Sequence, residues 1–248
     1  MRNDTLKVLL FVFAMTTIVA LVLAGLFFST ADLVKKNEEV YNKRATLSAV
    51  ASKLGKPLEE ISDDELLDIF NTQVVQKVVD SHGNPMDEAA VNGLGYGGGT
   101  AEYVDMAKEK KKPVADRAWP IYEFTSSEKE KFYILVIRGN GLWDEIWGYV
   151  ALEDDAKTIA GVAFDHKQET PGLGAEIKDS KAFQEQFVGT SIWKNDMYQG
   201  IYVRKGGSKD KTYEVDGLTG ATITADGVTD MFEIGIKAYG PYLSKLAN

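Results

Sequence analysis

The most apolar stretch of the chain runs from Val8 to Thr30 and contains no charged residue. A helix rises about 1.5 Å per residue, so this run is long enough to cross the roughly 30 Å hydrocarbon core of a bilayer. It exceeds the length of about 7–15 residues that is typical of a signal-peptide core, although the small residues at 29–31 leave cleavage open. We therefore predict a retained membrane anchor over residues 1–31.

The stretch 32–112 reads as a helical linker followed by the N-terminal part of a soluble region. Residues 32–54 predict a helix that ends before Gly55-Lys56-Pro57, and Ser62 and Glu65 have the spacing of a capping box for a short helix through Phe70. Residues 74–80 predict a strand, 81–100 have the composition of a loop, and 108–112 form a charged run.

The stretch 113–248 mixes strand and helix patterns and predicts an α+β domain. β-Prone runs predict strands over 119–124, 131–138, 146–153, 159–166, 191–204 and 211–216. Residues 175–189 predict a helix, and Asp226 to Tyr239 predict an amphipathic helix with its apolar positions on one face. The whole is a single transmembrane helix followed by a mixed α/β domain.

Composition and charge exclude several classes of function. The chain has 28 basic and 37 acidic residues, a formal charge of −9, which argues against nucleic acid as a partner. It has no cysteine, so disulfides, thiolate zinc sites, iron–sulfur clusters and cysteine nucleophiles are excluded. It has two histidines, too few for a multi-histidine metal centre.

Gly93, Gly95 and Gly98 match the letters of a dinucleotide-binding loop. That loop requires a strand directly before its first glycine, and residues 86–92 do not read as one, although a helical stretch is predicted from about Glu102. The run is better interpreted as a flexible surface loop.

A second glycine-rich segment, residues 166–176, follows a predicted strand and precedes a predicted helix. Glycines there allow a planar ligand to approach the backbone, and Glu169 could orient such a ligand. His166 and Glu169 alone would make a poor metal site. A plain strand–turn–helix connection remains the alternative.

The third segment, residues 216–224, reads D-G-L-T-G-A-T-I-T between a strand and the last helix. A helix N-terminus is a suitable seat for a phosphate group, and the small residues Gly220 and Ala221 leave Thr222 accessible as a hydroxyl acceptor. Asp216 could help to present that hydroxyl. The alternative is a capped helix entry.

These motifs carry a resemblance. D-x-x-T-G-A-T at 216–222 resembles the flavinylation motif of the bacterial FMN-binding domain, and E-T-P-G-L-G at 169–174 resembles the flavin-pocket loop of the same family. With Gly139–Trp143, Trp147–Tyr149 and the anchor, the chain resembles the C-subunit family of Na⁺-translocating NADH:quinone oxidoreductases. The G-subunit of the Rnf electron-transport complex shares the motif and the anchor.

The resemblance implies that residues 113–248 form an FMN-binding domain, whose site has no catalytic or metal-binding residues. Thr222 would bear FMN through its phosphate, Thr224 would lie beside that phosphate, and His166 would be an outer neighbour. The motif recognised by a flavin transferase would consist of Asp216, Thr219, Gly220 and Ala221. The residues that hold the isoalloxazine would be Glu169, Thr170, Gly172, Leu173 and Gly174, with Leu142 and Trp143.

The implied function is electron transfer from NADH toward quinone, coupled to sodium export, inside a complex with other integral membrane subunits. This chain alone would have no complete activity. The resemblance also implies a single-pass protein of the bacterial inner membrane with its soluble domain on the periplasmic side. Two alternatives are the G-subunit of an Rnf-type complex and an anchored assembly module without cofactor.

Overall fold

The computed structural model describes residues 2–246, and residues 1, 247 and 248, which fall in the predicted anchor and the predicted FMN-binding domain, lie outside the described residues. The chain packs as two units, Met1–Asn42 and Lys43–Asn248. The predicted divisions at 31/32 and 112/113 mark changes in sequence character, whereas the packing divides at 42/43.

The first unit consists, in its described part, of helix α1 (Arg2–Ser48), which continues into the second unit. From Asp4 onward this helix is long and apolar enough to cross a membrane, and its apolar side chains between Leu6 and Phe28 are exposed. The helix predicted over 32–54 is confirmed as far as Ser48, and a 3₁₀ turn follows at Ala51–Lys53.

The second unit is built on a five-stranded antiparallel sheet in the order β1-β2-β3-β4-β5. Its strands are β1 (Val74–Val79), β2 (Trp119–Thr125), β3 (Lys131–Asn140), β4 (Glu145–Leu152) and β5 (Ile159–His166). Because β1 pairs with β2 from Val74↔Phe124 to Val79↔Trp119, the stretch before residue 113 belongs to the same sheet as the stretch after it.

Helices cover both faces of the sheet, which explains why β3 is apolar without alternation. On one face lies α7 (Thr222–Leu246): its Tyr239 packs on Trp119, and its Phe232 packs on Phe164. The opposite face meets α2 (Asp63–Gln73) through Phe70 and Tyr122. The predicted N-cap Ser62 accepts the Glu65 N–H, while the Glu65 carboxylate pairs with Lys56.

Several sequence-based boundaries are wrong. The predicted loop 81–100 contains α3 (Glu88–Asn92), and the helical stretch predicted from about Glu102 is a 3₁₀ turn at Ala101–Tyr103 followed by α4 (Met106–Glu109). Residues 175–189 form two short helices, α5 (Glu176–Asp179) and α6 (Lys181–Glu185), because Ser180 ends the first and caps the second. The strand predicted at 191–204 is β6 (Trp193–Lys194), β7 (Met197–Tyr198) and β8 (Tyr202–Arg204).

The last helix differs most. It begins at Thr222, four residues before the predicted start, and continues to Leu246. β9 (Glu214–Asp216) pairs in parallel with β8, and residues 217–221 connect it directly to α7. The predicted α+β class, with a long apolar N-terminal helix, is confirmed.

Candidate functional site

Three segments of the second unit meet near the N-terminus of α7. They are the turn between β3 and β4 (residues 140–145), the loop after β5 (167–175) and the turn before α7 (217–221). The first two segments and the start of α7 carry the residues that the sequence selects for a flavin pocket. The fold therefore unites motifs that lie up to about eighty residues apart in the sequence.

The buried side chain of Glu169 connects these segments through hydrogen bonds. Only 6% of the residue is exposed. One carboxylate oxygen accepts the backbone N–H of Trp143 at 3.0 Å, and the other accepts the Thr224 hydroxyl at 2.7 Å. The Glu169 N–H donates to His166 Nδ1 at 3.1 Å. Glu169 thus binds the β3–β4 turn to the first turn of α7, and its carboxylate is occupied by protein donors.

Two glycines permit this close approach. A Cβ on Gly174 would collide with the Glu169 carboxylate and would lie 2.6 Å from Thr224 Oγ1. A Cβ on Gly141 would collide with the other carboxylate oxygen of Glu169. Van der Waals contacts of this length are strongly repulsive. Both positions therefore need glycine for packing around Glu169 rather than for backbone conformation.

Thr222 and Thr224 have opposite environments. Thr224 is 1% exposed and donates to Glu169. Thr222 is half-buried, and its hydroxyl has no hydrogen-bond partner among residues 2–246. It is the first residue of a 25-residue helix, whose first bond of the α-helical type runs from the Ala225 N–H to the Ala221 carbonyl. The N–H groups of residues 222–224 therefore remain available at the positive end of the helix.

Apolar side chains surround this helix end without being buried. Leu142, Leu173 and Ile223 are all exposed, and Trp143 is 67% exposed. The Trp143 indole is nevertheless oriented, because its Nε1–H donates to Thr170 Oγ1 at 3.1 Å. Leu173 lies over the turn before α7: a Cβ on Gly220 would be 2.7 Å from its Cδ2 atom. Exposed apolar groups held in place are suited to covering a planar ligand.

Asp216 lies elsewhere than the sequence suggested. Its Oδ1 accepts from the N–H of Ser208 at 2.6 Å and from the Ser208 hydroxyl at 2.8 Å, and Lys211 pairs with Oδ2 at 3.1 Å. These donors lower the pKa of Asp216 to about 2. Both oxygens organise the loop between β8 and β9, so the structure gives Asp216 no contact with Thr222.

The remaining motif residues take simpler positions. Thr219 and Gly220 are exposed, Ala221 is buried, and Gly172 and Gly220 adopt positive φ of 74° and 78°. The site residues predicted from the sequence did not include Ile223, and Gly141 was part of the Gly139–Trp143 segment without a role of its own. A helix start placed at Thr222 would have shown Ile223 as an exposed apolar residue, whereas no local pattern shows that Gly141 leaves space for Glu169.

The residues present fit an FMN group. The Thr222 hydroxyl, which no other described residue contacts by a hydrogen bond, lies at a helix N-terminus with available N–H groups, which suits a phosphate ester. Exposed apolar side chains lie beside it, which suits the isoalloxazine. No three His, Asp or Glu residues cluster into a metal-binding group in the part of the chain that the structure describes.

Comparison with known proteins agrees with this geometry. The sequence profile of the FMN-binding domain matches residues 141–237. A relative from Pasteurella multocida, named as the C-subunit of Na(+)-translocating NADH-quinone reductase, is 37% identical over 115 residues, and the match spans only 44% of that relative's length and 46% of this chain.

Two longer matches bear the same name. The C-subunit of Pseudomonas aeruginosa is 30% identical over 93% of this chain and 95% of its own length. A crystal structure of the C-subunit from Parabacteroides distasonis superposes with a TM-score of 0.70 at 27% identity, over 86% of this chain and 96% of that one. The chain therefore belongs to the C-subunit family of Na(+)-translocating NADH-quinone reductases.

Proposed function

We propose that this chain is an electron-transfer subunit that carries FMN joined through its phosphate to the oxygen of Thr222. The observation that carries the proposal is the Thr222 hydroxyl, which is half-buried at the first residue of a long helix and has no hydrogen-bond partner in the described part of the chain. A hydroxyl already engaged in a buried hydrogen bond, such as that of Thr224, would have to break that bond before it could be esterified.

The first turn of α7 is suited to hold the phosphate. The N–H groups of residues 222–224 supply donors that no backbone carbonyl within residues 2–246 accepts, and the helix dipole favours negative charge there. Thr224 contributes indirectly, because its hydroxyl fixes the helix end to Glu169 rather than facing the phosphate.

The isoalloxazine contacts four exposed apolar side chains: Leu142, Trp143, Leu173 and Ile223. Thr170 orients the Trp143 indole. Gly172 lets the 169–174 loop turn through a positive φ, Gly174 leaves space for the Glu169 carboxylate, and Glu169 holds that loop to the helix. FMN when bound supplies the capacity to accept and release electrons, while the protein orients it. A tether at the phosphate leaves the ring system free to meet redox partners.

The name of the relatives supports a setting for this protein. We propose that the chain works within a Na⁺-translocating NADH:quinone reductase, passing electrons between other membrane subunits on the path from NADH to quinone, with sodium export as the coupled step. The long apolar helix α1 anchors it in the bacterial inner membrane with the second unit on the periplasmic side. A flavin transferase attaches the cofactor, and Thr219, Gly220 and Ala221, with Asp216 shaping the preceding loop, form the motif it recognises.

The proposal is tested by producing the full chain together with a flavin transferase and separating it on a denaturing gel. Flavin fluorescence should stay with the wild-type band and vanish from Thr222→Ala. The matched control is Thr212→Ala, an exposed threonine outside the motif whose loss should leave the fluorescence unchanged. A dark wild-type band would refute attachment and favour the assembly module without cofactor.

A further inference from the structure

The turn that carries Leu142 and Trp143 is held from the side by a residue distant in sequence. Lys110, which directly follows α4, places its ammonium group 3.1 Å from the carbonyl oxygen of Gly139 and 3.3 Å from a carboxylate oxygen of Glu145. The same group donates to the side-chain oxygen of Asn140. One cation therefore contacts both strand ends that frame residues 141–144.

Lys110 is itself fixed. The Arg117 guanidinium donates to the carbonyl oxygens of Lys110 at 2.7 Å and Lys112 at 2.8 Å. The fully buried carboxylate of Glu109 accepts from the Ala118 N–H at 2.8 Å and the Lys112 ammonium at 2.6 Å. Residues 106–118, here called the brace segment, are thus tied together and continue directly into β2.

Glu145 receives a second cation from the sheet. The Nη2 and Nε atoms of Arg138 lie 2.6 and 3.2 Å from one carboxylate oxygen, while Lys110 approaches the other. Arg138 and Lys110 together lower the pKa of Glu145. The Lys110 and Glu145 side chains are 24% and 22% exposed, so the pair is screened less than one on the open surface.

From this geometry we propose that Lys110 is a positioning residue, through which the brace segment fixes the β3–β4 turn and hence the Leu142 and Trp143 side chains at the flavin site. That Lys110 fixes the β3–β4 turn concerns the protein alone, whereas its effect on Leu142 and Trp143 at the flavin rests on the proposed function. The brace assigns a role to a stretch that shares none of the flavin motifs.

Substitution of the neighbouring Lys111 provides the matched control for Lys110→Met. Lys111 is exposed, and its ammonium group has no ion-pair partner within residues 2–246. Lys110→Met and Lys111→Met remove the same charge from the chain, so they differ in the contacts at the turn. Lys110→Arg retains a cation and should restore part of the effect, and Glu145→Gln weakens the same contact from the opposite side.

The first measurement needs no flavin. Amide hydrogen exchange is followed by mass spectrometry on the full chain in detergent, in the Thr222→Ala background. Lys110→Met should speed exchange in peptides covering residues 139–145 by about fivefold or more, as loss of a charge-assisted contact predicts. Lys111→Met should leave it unchanged, and Glu145→Gln should act like Lys110→Met. Unaltered exchange in Lys110→Met would overturn the brace whatever Glu145→Gln does, because Glu145 also pairs with Arg138.

The second measurement uses the flavin-loaded full chain. Lys110→Met should change the visible circular dichroism of the flavin, a signature of ring orientation, with the mass of the Thr222 peptide unchanged and partial recovery in Lys110→Arg. Faster exchange with an identical flavin spectrum would overturn the positioning role. A wild-type chain without flavin would refute the proposed function, and the exchange experiment would still decide the brace.

Discussion

The hydrogen bond between Thr224 and Glu169 should be a measurable source of stability. Thr224 is 1% exposed, and its hydroxyl lies 2.7 Å from a buried carboxylate oxygen that has no ion-pair partner in the described part of the chain. Thr224→Val keeps the size of the side chain and removes the donor. Hydrogen bonds to charged groups contribute about 1.5–3 kcal/mol, so we expect the free energy of unfolding to fall by about 2 kcal/mol.

The assay is thermal unfolding of the full chain in detergent, followed by near-UV circular dichroism. For a protein of this size, a loss of about 2 kcal/mol lowers Tm by about 4–8 °C. Thr224→Ser retains the hydroxyl and serves as the control. A double-mutant cycle with Glu169→Gln should give a coupling energy of about 1–2 kcal/mol. Equal Tm values for the Val and Ser variants would refute the role given to this bond.

Three further outcomes follow from packing and charge. Tyr239→Phe should lower the free energy of unfolding by about 1–3 kcal/mol in urea titrations, because the buried hydroxyl accepts the Val136 N–H at 3.2 Å and donates to the Pro120 carbonyl at 2.8 Å. Gly174→Ala should also lower the free energy of unfolding by about 1–3 kcal/mol, seen as a lower Tm, because the added Cβ would collide with the Glu169 carboxylate and the Thr224 hydroxyl. Asp216 should titrate near pH 2 by carbon NMR. The pKa of Asp216 in the folded protein is below its unfolded value of about 3.9, so the carboxylate stabilises the fold fully above about pH 4 and loses this contribution as the pH falls toward 2. Asp216→Asn should therefore destabilise the protein at pH 7 and progressively less below pH 4.

The sheet could be predicted from the sequence because its strands are locally coherent. Residues 131–138 are β-branched, aromatic and aliphatic without interruption, a pattern typical of a strand buried on both faces, and they lie within β3. The two strands on either side of Gly141 were predicted within two residues of their observed bounds. That β1 joins this sheet could not be predicted, because its pairing with β2 closes a long loop whose packing is decided by tertiary contacts.

The helix ends were harder. The start T-I-T at 222–224 is rich in β-branched residues, which have modest helix propensity, so the sequence favoured a start near Asp226. In the structure the Thr224–Glu169 bond and the burial of Ala225 hold the first turn in place. Tertiary contacts here override local propensity.

Part of the candidate site could be predicted from the sequence, and the rest depends on tertiary contacts. The motif and chain order selected Thr222, and they selected Glu169 as a ligand-facing group. The structure turns Glu169 inward onto Trp143 and Thr224, because Gly141 and Gly174 leave space for its carboxylate. Such a role depends on three segments meeting in space and leaves no local pattern.

The ester bond between FMN and Thr222 can be detected on the tryptic peptide Thr212–Lys237. The full chain is produced with a flavin transferase, denatured, digested and fragmented in the mass spectrometer. We expect a peptide heavier by the mass of FMN less one water, with fragment ions assigning the addition to Thr222. An unmodified peptide, or a flavin located on Thr219 or Thr224, would contradict it.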